Sequence, residues 1–287
     1  MPSRIPSLGP DFAWLYWQEA CLVAISRTVG RTGCYVYGIV PADVEANSAV
    51  YGVDDRRIRL VRCGAVAALV SDVDLAGLLG TPENLKSHQA ILDSSITDLP
   101  VLPVPFGAVL VSDYAVVEEL LEPHHDEFVA ALAELDGRAE YLVTGRYIEQ
   151  AIHERILSQD PRAAELTRQI READAGTTRD LRIQLGELVS NSIAARREED
   201  ARLLRSMMED HSEASLVRDP AHELDAVHVA FLLDASKVGE LERVTGDLGR
   251  HWEGRVELRV LGPMAPYDFV RVSTLSRIPP SQLAAGR

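Results

Sequence analysis

The stretch Cys34-Tyr35-Val36-Tyr37-Gly38-Ile39-Val40, which stops at Pro41, is the clearest strand signal in the chain. Its residues are mainly β-branched or aromatic, and proline cannot donate a hydrogen bond within a sheet. Residues 58–63 and 66–73 flank Gly64, which predicts an antiparallel pair joined by a tight turn. These strands predict that a sheet opens the first folded domain.

A helix is predicted directly after these strands. Thr81 can cap the free N–H groups of a helix start, and Pro82 at the first helical position loses no hydrogen bond. His88 lies on the face that recurs at steps of three and four from Leu85 to Leu99, which predicts packing on the sheet. Such a histidine is either a general base or a core residue bonded to the backbone, and the core role is favoured.

The next part of the chain predicts an edge strand or an extended segment, followed by two helical pieces. Residues 101–111 are apolar but carry Pro103 and Pro105, which cannot donate hydrogen bonds to a neighbouring strand. Two stretches with helical periodicity follow and divide near Pro123. A turn signal comes next, so we expect the first α+β domain to cover residues 34–136.

The second half of the chain predicts another α+β domain, over residues 137–275. Its first strand is followed by helices, and a capping box at Thr177 and Asp180 opens a long, partly exposed helix. These helices form a helical insertion at about residues 158–214. The last part has the order strand, helix, strand, and its final strand alternates apolar with charged residues.

Two terminal segments fall outside these domains. Residues 1–33 are an extension without an assigned role, and its apolar stretch from Phe12 to Trp17 is shorter than a membrane helix of roughly 20 residues. We expect residues 276–287 to be a flexible tail. The chain of 287 residues is long enough for the two expected domains.

Charge and cysteine content argue against several function classes. The chain has 44 acidic and 29 basic residues, and its formal charge of −15 repels nucleic-acid phosphate. The charged run Arg196–Asp200 mixes both signs and is interpreted as a solvated helix face. Cys21, Cys34 and Cys63 form no CxxC pair, so no disulfide framework or zinc site is predicted and a reducing cytoplasm fits best. We expect no nucleic-acid partner and no lipid membrane.

The well-specified motifs for catalysis, cofactors and metals are absent from the sequence. It contains no GxGxxG, GxxxxGK[ST], HExxH or GxSxG string. The adjacent pair His124-His125 would point about 100° apart on a helix, which suits one metal ion poorly. Adjacent carboxylates such as Glu118-Glu119 diverge in the same way. We therefore predict no catalytic, cofactor-binding or metal-binding residue, although absent motifs weaken an enzyme interpretation without excluding it.

Two strings combine proline, glycine and an aromatic residue. They are residues 100–107, PVLPVPFG, and residues 262–270, GPMAPYDFV. Proline restricts the backbone and glycine frees it, which suits a rigid docking edge for a partner. The other interpretation is that each string merely closes its sheet, and the residues themselves do not separate the two.

These two strings, taken in order after Tyr35–Val40 and His88, resemble the gas vesicle protein F/L (GvpF/GvpL) family. The family pattern has a YxYGIV-like first strand, a helical histidine followed by PVLPxRFG, and a terminal GPxPPYxFV. The resemblance covers about residues 34–272 and rests on three ordered motifs. The candidate interaction residues that it implies are Tyr35, Tyr37, Gly38, His88, Pro103, Phe106, Gly107, Gly262, Pro263, Pro266, Tyr267 and Phe269.

The chain departs from the family pattern at three positions. Pro105 stands where the family usually has arginine, Ala265 where it usually has proline, and Asp268 where serine is common. If the family's arginine pairs with a buried carboxylate or contacts a partner, its loss implies a different or weaker interaction in this chain.

The resemblance implies a non-enzymatic accessory or minor structural protein of gas vesicle formation, located in the cytoplasm and on the gas vesicle, with no cofactor. The implied partners are the small hydrophobic shell protein (GvpA-type) and other gas vesicle accessory proteins. It also implies an α+β fold of two domains, the C-terminal one ferredoxin-like with added long helices. The alternative is a small-molecule-binding regulatory or enzymatic α+β protein. A third hypothesis is a wall component that stays on purified vesicles, and the oligomeric state is left open.

Overall fold

The chain divides into two compact units in the computed structural model, which describes residues 32–45, 51–75, 80–96, 99–173 and 178–270. Among the described residues, the first unit runs to Glu140 and also includes those from Pro263 to Val270. The second unit runs from Tyr141 to Gly262. We expected the second domain to cover residues 137–275. In the structure, the described residues after Gly262 belong to the first unit instead.

A five-stranded sheet forms the centre of the first unit. Its strands are β1 (Thr32–Pro41), β2 (Arg59–Cys63), β3 (Val66–Asp74), β4 (Leu102–Pro103) and β5 (Val109–Leu110). The order is β2-β3-β1-β4, β5 also pairs with β1, and all of these pairs are antiparallel. Gly64 has a φ of 58° in the turn between β2 and β3, a conformation that glycine adopts without steric cost. The predicted hairpin is confirmed.

A β-bulge in β1 decides which of its side chains enter the core. The register of β1 against β3 shifts between Val36 and Gly38, so Tyr37 is the extra residue of the bulge. In a regular strand, alternate side chains share a face, so residue 39 would lie on the same face as Tyr35 and Tyr37. Because of the bulge, Val40 instead joins the two tyrosines in one core cluster. The bulge therefore changes the face of the strand halfway along it.

Helices cover this sheet. They are α1 (Pro82–Ser95), the short α2 (Asp113–Ala115) that continues as a π-helical segment (Val116–Leu121), and α3 (His125–Leu135). Thr81 accepts the N–H of Asn84 at 3.2 Å, which confirms the predicted helix start. Both α1 and α3 contact β1, and β1 is buried along its length except at its ends. The predicted division near Pro123 is confirmed as well.

The second unit is built on a four-stranded sheet in the order β7-β8-β6-β9. Its strands are β6 (Arg138–Tyr147), β7 (Ala214–Val217), β8 (Asp225–Asp234) and β9 (Val256–Met264). The pair of β7 and β8 is antiparallel. Strand β7 is not predictable from the sequence, because it has only four residues and two of them are exposed.

The α-helices described in the second unit are α4 (Glu149–Gln159), α5 (Pro161–Glu172), α6 (Arg179–Met208) and α7 (Val238–His251). Asp160 accepts the N–H groups of Arg162 and Ala163, which confirms the predicted start of α5. The long helix is confirmed as α6, and its buried residues begin only at Ile193. Thr177 of the predicted capping box lies outside the described residues.

The charged run Arg196–Asp200 on α6 is not a uniformly solvated face, and this corrects the sequence interpretation. Asp200 is only 7% exposed. It accepts a hydrogen bond from the Tyr147 hydroxyl at 2.7 Å and forms an ion pair with Arg255 at 3.3 Å. Arg197 donates to the backbone carbonyls of Glu223, just before β8, and of Asp225, the first residue of β8. These bonds attach the second half of α6 to the sheet, a role that local charge mixing does not reveal.

Candidate functional site

Candidate residues from separate parts of the first unit meet in one place. We call this group the aromatic cluster and define it as Tyr35, Tyr37, His88, Phe106 and Tyr267. Its contacting rings have centroids between 4.8 and 6.5 Å apart. The residues come from β1, α1 and the two proline-containing strings, so the motifs of the sequence converge in space.

Tyr35 ties the first proline-containing string to the interior of the cluster. Its hydroxyl accepts the N–H of Gly107 at 3.0 Å and lies 3.0 Å from Nδ1 of His88. Tyr35 and His88 are almost completely buried. Because a buried N–H without a partner is costly, this bond favours one path for the chain at Phe106 and Gly107. The ring of Phe106 is thereby positioned against Tyr35 and His88.

Tyr37 makes a second set of buried hydrogen bonds. Its hydroxyl accepts the N–H of Val53 at 2.8 Å and lies 2.8 Å from Oγ of Ser71. The ring stacks on His88 with the two planes 25° apart. Burial raises the pKa of Tyr37, so the phenol stays protonated at neutral pH. Tyr37 therefore joins β1, β3 and the loop before β2.

Tyr37→Phe is expected to lower the free energy of unfolding by about 1–2 kcal/mol, because Val53 N–H and Ser71 then lose a buried partner. Urea unfolding followed by circular dichroism measures the change. The matched control is Tyr51→Phe, since Tyr51 is exposed and its hydroxyl can bond to water. Equal midpoints for Tyr37→Phe and wild type would contradict a stabilising role of this hydroxyl.

His88 is a neutral core histidine. Burial lowers its pKa to about 4, and the backbone of Val104 opposes this effect only in part. Aromatic rings surround the imidazole, and within the described residues its buried Nε2 has no hydrogen-bond partner. The geometry therefore favours the core interpretation of His88 over that of a general base.

The last described segment closes the aromatic cluster. The N–H of Ala265 donates to Asp93 at 3.0 Å, and the N–H of Asp268 donates to the buried Glu140 at 3.0 Å. Burial raises the pKa of Asp93, which the Ala265 N–H partly opposes. These bonds hold Tyr267 against His88 and are the physical reason why the segment belongs to the first unit.

The aromatic cluster reaches the surface at two residues. Phe106 is half-buried and Tyr267 is 38% exposed, while the other three members are buried. The pKa of Tyr267 is raised by desolvation and by the nearby carboxylates Asp93 and Glu140. The exposed part is therefore a small aromatic patch that rests on a rigid interior.

Other candidate residues lie around the cluster. Gly38 and Pro103 are opposite each other in β1 and β4, and a Cβ at Gly38 would come within 2.8 Å of the Leu102 carbonyl oxygen. This close approach requires glycine. Strand β4 ends the strand order of its sheet, as predicted for an edge strand, but Leu102 and Pro103 are buried and offer no exposed docking surface. The exposure of the first string is confined to its half-buried part around Phe106.

The remaining candidates of the second string differ in burial. Gly262 and Pro263 are exposed at the end of β9, Pro266 is buried, and Phe269 is half-buried. Of this string only Tyr267 has a ring contact with His88 among the contacts described.

The histidine, cysteine and carboxylate side chains have structural rather than metal-binding or nucleophilic arrangements in the described residues. Over residues 32–45, 51–75, 80–96, 99–173 and 178–270, no group of three or more His, Cys, Asp or Glu side chains could hold a metal ion. His125 accepts the N–H of Ala65 at 3.1 Å, which is a structural role in the hairpin turn. Burial raises the pKa of Cys34 to about 12, so its thiol is not a thiolate nucleophile at neutral pH.

An open groove of about 420 Å³ lies elsewhere in the first unit. Its walls come from the end of β1, the β2–β3 turn, residues 99–100 and α3, and none of its lining residues belongs to the aromatic cluster. Leu99 and Leu132 are among its apolar residues, and Asp43 and Asp136 supply carboxylates. Within the described part of the chain, no helix is both long and apolar enough to cross a membrane.

Comparison with solved structures first defines the class of fold. The structure is similar to the crystal structure of the gas vesicle protein GvpF from Anabaena sp. PCC7120, with a TM-score of 0.72, 22% identity, and coverage of 84% of this chain and 99% of that chain. It is also similar to GvpF from Microcystis aeruginosa, with a TM-score of 0.67, 21% identity, and coverage of 83% and 98%. These similarities agree with the mixed fold of helices and antiparallel sheets in this chain.

Sequence comparison then identifies the family. The family described as gas vesicle synthesis protein GvpL/GvpF matches residues 33–271, and the chain belongs to this family. Gas vesicle protein F of Streptomyces sp. (strain CB03234) is 30% identical over 242 residues, covering 82% of this chain and 98% of the relative. Gas vesicle protein L1 of Halobacterium salinarum is 28% identical over 260 residues, covering 85% and 92%. The resemblance inferred from the motifs is confirmed.

Proposed function

We propose that this protein is a non-enzymatic accessory or minor structural protein that binds the small hydrophobic shell protein (GvpA-type) and other accessory proteins during gas vesicle assembly. Its family membership supports a role in gas vesicle formation, and the family is not known as an enzyme family. The observation that carries the binding proposal is the exposed patch of Phe106 and Tyr267 on the aromatic cluster. The proposed location is the cytoplasm and the gas vesicle.

The patch has the properties of a binding anchor. Aromatic side chains bury large areas and dominate the energy of many interfaces. Phe106 is positioned by the Gly107–Tyr35 bond, and Tyr267 by the bonds of its neighbours to Asp93 and Glu140. Because these side chains are held before a partner arrives, less conformational entropy is lost on binding. A small hydrophobic protein is a suitable partner for such a patch, because it presents apolar surface.

Phe106→Ala and Tyr267→Ala are each expected to weaken binding to the shell protein by about tenfold or more, which corresponds to about 1.4 kcal/mol. Binding is measured by co-purification from a heterologous host and by titration of the purified proteins. Tyr114→Ala is the matched control, because Tyr114 is an exposed tyrosine of the first unit outside the cluster.

Loss of binding must be separated from loss of the fold. Tyr267→Phe keeps the ring and is expected to bind normally, and cooperative urea unfolding of each variant shows that the first unit is intact. Unchanged affinity in both alanine variants would refute this patch as the binding site.

The alternative function is small-molecule binding, and the groove beside α3 is the observation that favours it. A bound metabolite would raise the melting temperature through preferential binding to the folded state. A metabolite screen without any shift would count against this alternative. Retention on purified vesicles after gentle washing would instead support a lasting component of the wall.

We also infer that the second unit has a ferredoxin-like topology. Its elements follow the order strand, helices, strand, strand, helix, strand, and α4, α5 and α6 all lie in the first crossover. Counted along the chain, the sheet order β9-β6-β8-β7 is 4-1-3-2. That order supports the split β-α-β arrangement with an enlarged first helical connection.

A further inference from the structure

Strand β9 is an unusually long edge strand for the second unit. Within the part of the chain that the structure describes, β9 has β6 as its neighbour on one side alone. It spans nine residues, whereas the opposite edge strand β7 has four. Short edge strands protect a sheet from pairing with another chain, and long exposed ones invite pairing. The structure therefore leaves β9 as the sheet edge that is open to a further strand.

The side chains of β9 divide between its two faces. Val256 and Leu258 cover Gly145 of β6, where an added Cβ would lie 3.0 Å from each of them. Glu257 and Arg259 are exposed. Farther along, Val260 is 41% and Leu261 is 50% exposed. The strand thus combines exposed apolar residues with one acidic and one basic residue two positions apart.

We propose that β9 pairs with β9 of a second copy of this chain, antiparallel and with the two-fold axis at Leu258. In this register Glu257 of each copy lies opposite Arg259 of the other, and Val256 lies opposite Val260. Opposite charges directly across an antiparallel pair are favourable, and the symmetry makes the charge pair twice. The inference goes beyond shell-protein binding and does not depend on it.

The backbone of β9 is compatible with this register. Along an edge strand, every second residue directs its N–H and C=O away from its own sheet. In the proposed register, even-numbered residues pair with even-numbered residues and odd-numbered with odd-numbered. The N–H and C=O groups that point away from the sheet in one copy therefore meet those of the other copy. Pro263 has no N–H and therefore ends the pairing after residue 262. The available edge on either side of Leu258 is then nearly symmetric, from Arg255 to Leu261.

The charge pattern favours a second copy over a strand of another protein. A strand of another protein would need a basic residue opposite Glu257 and an acidic residue opposite Arg259. Without these residues, both charges of β9 would stay uncompensated at the new interface. In an in-register parallel pair, Glu257 faces Glu257 and Arg259 faces Arg259. In an antiparallel register shifted by two residues, each charge faces an apolar or like-charged residue. The antiparallel register about Leu258 supplies both partners from the chain's own sequence.

The test is the mass of the purified full chain in solution, measured by sedimentation or light scattering over a range of protein concentrations. Wild type is expected to be a concentration-dependent dimer. Arg259→Glu and Glu257→Arg each place like charges opposite each other twice, and each is expected to raise the dimer dissociation constant by about tenfold or more. Arg250→Glu is the control, because it makes the same charge change as Arg259→Glu at an exposed helical residue of the same unit.

Two further samples make the test specific for the register. The double variant Glu257→Arg/Arg259→Glu restores the opposite pairs and is expected to dimerise like wild type. A mixture of the two single variants is expected to form a heterodimer, because one carries two acidic and the other two basic residues. A wild type that stays monomeric, or a dimer that neither single variant weakens, would overturn the proposal. Loss of shell-protein capture in the single variants of a monomeric protein would assign the edge to that partner instead.

Discussion

Asp200→Ala is expected to lower the free energy of unfolding of the second unit by about 3–4 kcal/mol. This is a large share of the total stability of a typical domain, which is about 5–15 kcal/mol. The substitution leaves the mostly buried guanidinium of Arg255 without its carboxylate and removes the acceptor of the Tyr147 hydroxyl. Arg255 also lies over the ring of the fully buried Trp252, at 5.2 Å from the ring centroid. One carboxylate therefore joins α6, the end of β6 and the turn after α7.

Urea unfolding of Asp200→Ala and of matched variants measures this effect. Asp200→Asn keeps a polar group next to Tyr147 and is expected to cost about half as much, since only the charge is lost. In the double variant Asp200→Ala/Arg255→Ala the loss is expected to be smaller than the sum of the single losses, because no uncompensated charge remains. A loss below about 1 kcal/mol for Asp200→Ala would contradict a structural role of the buried pair.

The second large effect is the dependence of stability on pH through His88. An unfolded histidine has a pKa near 6.5, and in the folded protein burial lowers the pKa of His88 to about 4. Between these values the unfolded chain binds more protons, so acid favours unfolding. The stabilisation is complete above about pH 6.5 and is lost as pH falls towards 4. The expected loss from this one group is about 3 kcal/mol.

His88→Gln separates this contribution from those of other groups. The variant has no imidazole, so its stability is expected to fall less steeply with decreasing pH than that of wild type. Asp93, whose pKa is raised, contributes with the opposite sign and does so in both proteins. Parallel stability curves for the two proteins would rule out the role of His88. Direct titration of the wild-type imidazole by NMR serves as a second measurement if the variant does not fold.

Local features of the fold were predictable from the sequence. The caps Thr81 and Asp160, each followed by proline, mark the starts of α1 and α5, because capping depends only on neighbouring residues. The β2–β3 hairpin was predictable for the same reason, since Gly64 stands between two β-branched runs. The candidate residues of the aromatic cluster were predictable as motif members, but not as one group in space.

Features that depend on distant parts of the chain were not predictable. The bulge at Tyr37 depends on the pairing of β1 with β3, and the neighbouring Gly38 indicates only a bulge or a close backbone approach, not which residue is extra. The burial of Asp200 depends on Arg255, which is 55 residues away. Likewise, the return of the last segment depends on Asp93 and Glu140, whose carboxyl groups look like ordinary surface charges in the sequence. Each of these polar groups is buried only because a distant partner is present.

The return of the chain to the first unit after Gly262 also sets an order of synthesis. The second unit is one continuous stretch, residues 141–262, and all of it leaves the ribosome before Tyr267 does. Domains that fold during translation usually do so from the N-terminus. Here the first unit begins earlier but acquires Tyr267 and the N–H groups of Ala265 and Asp268 only after the second unit is complete. The aromatic patch is therefore assembled only after the whole second unit has been synthesised.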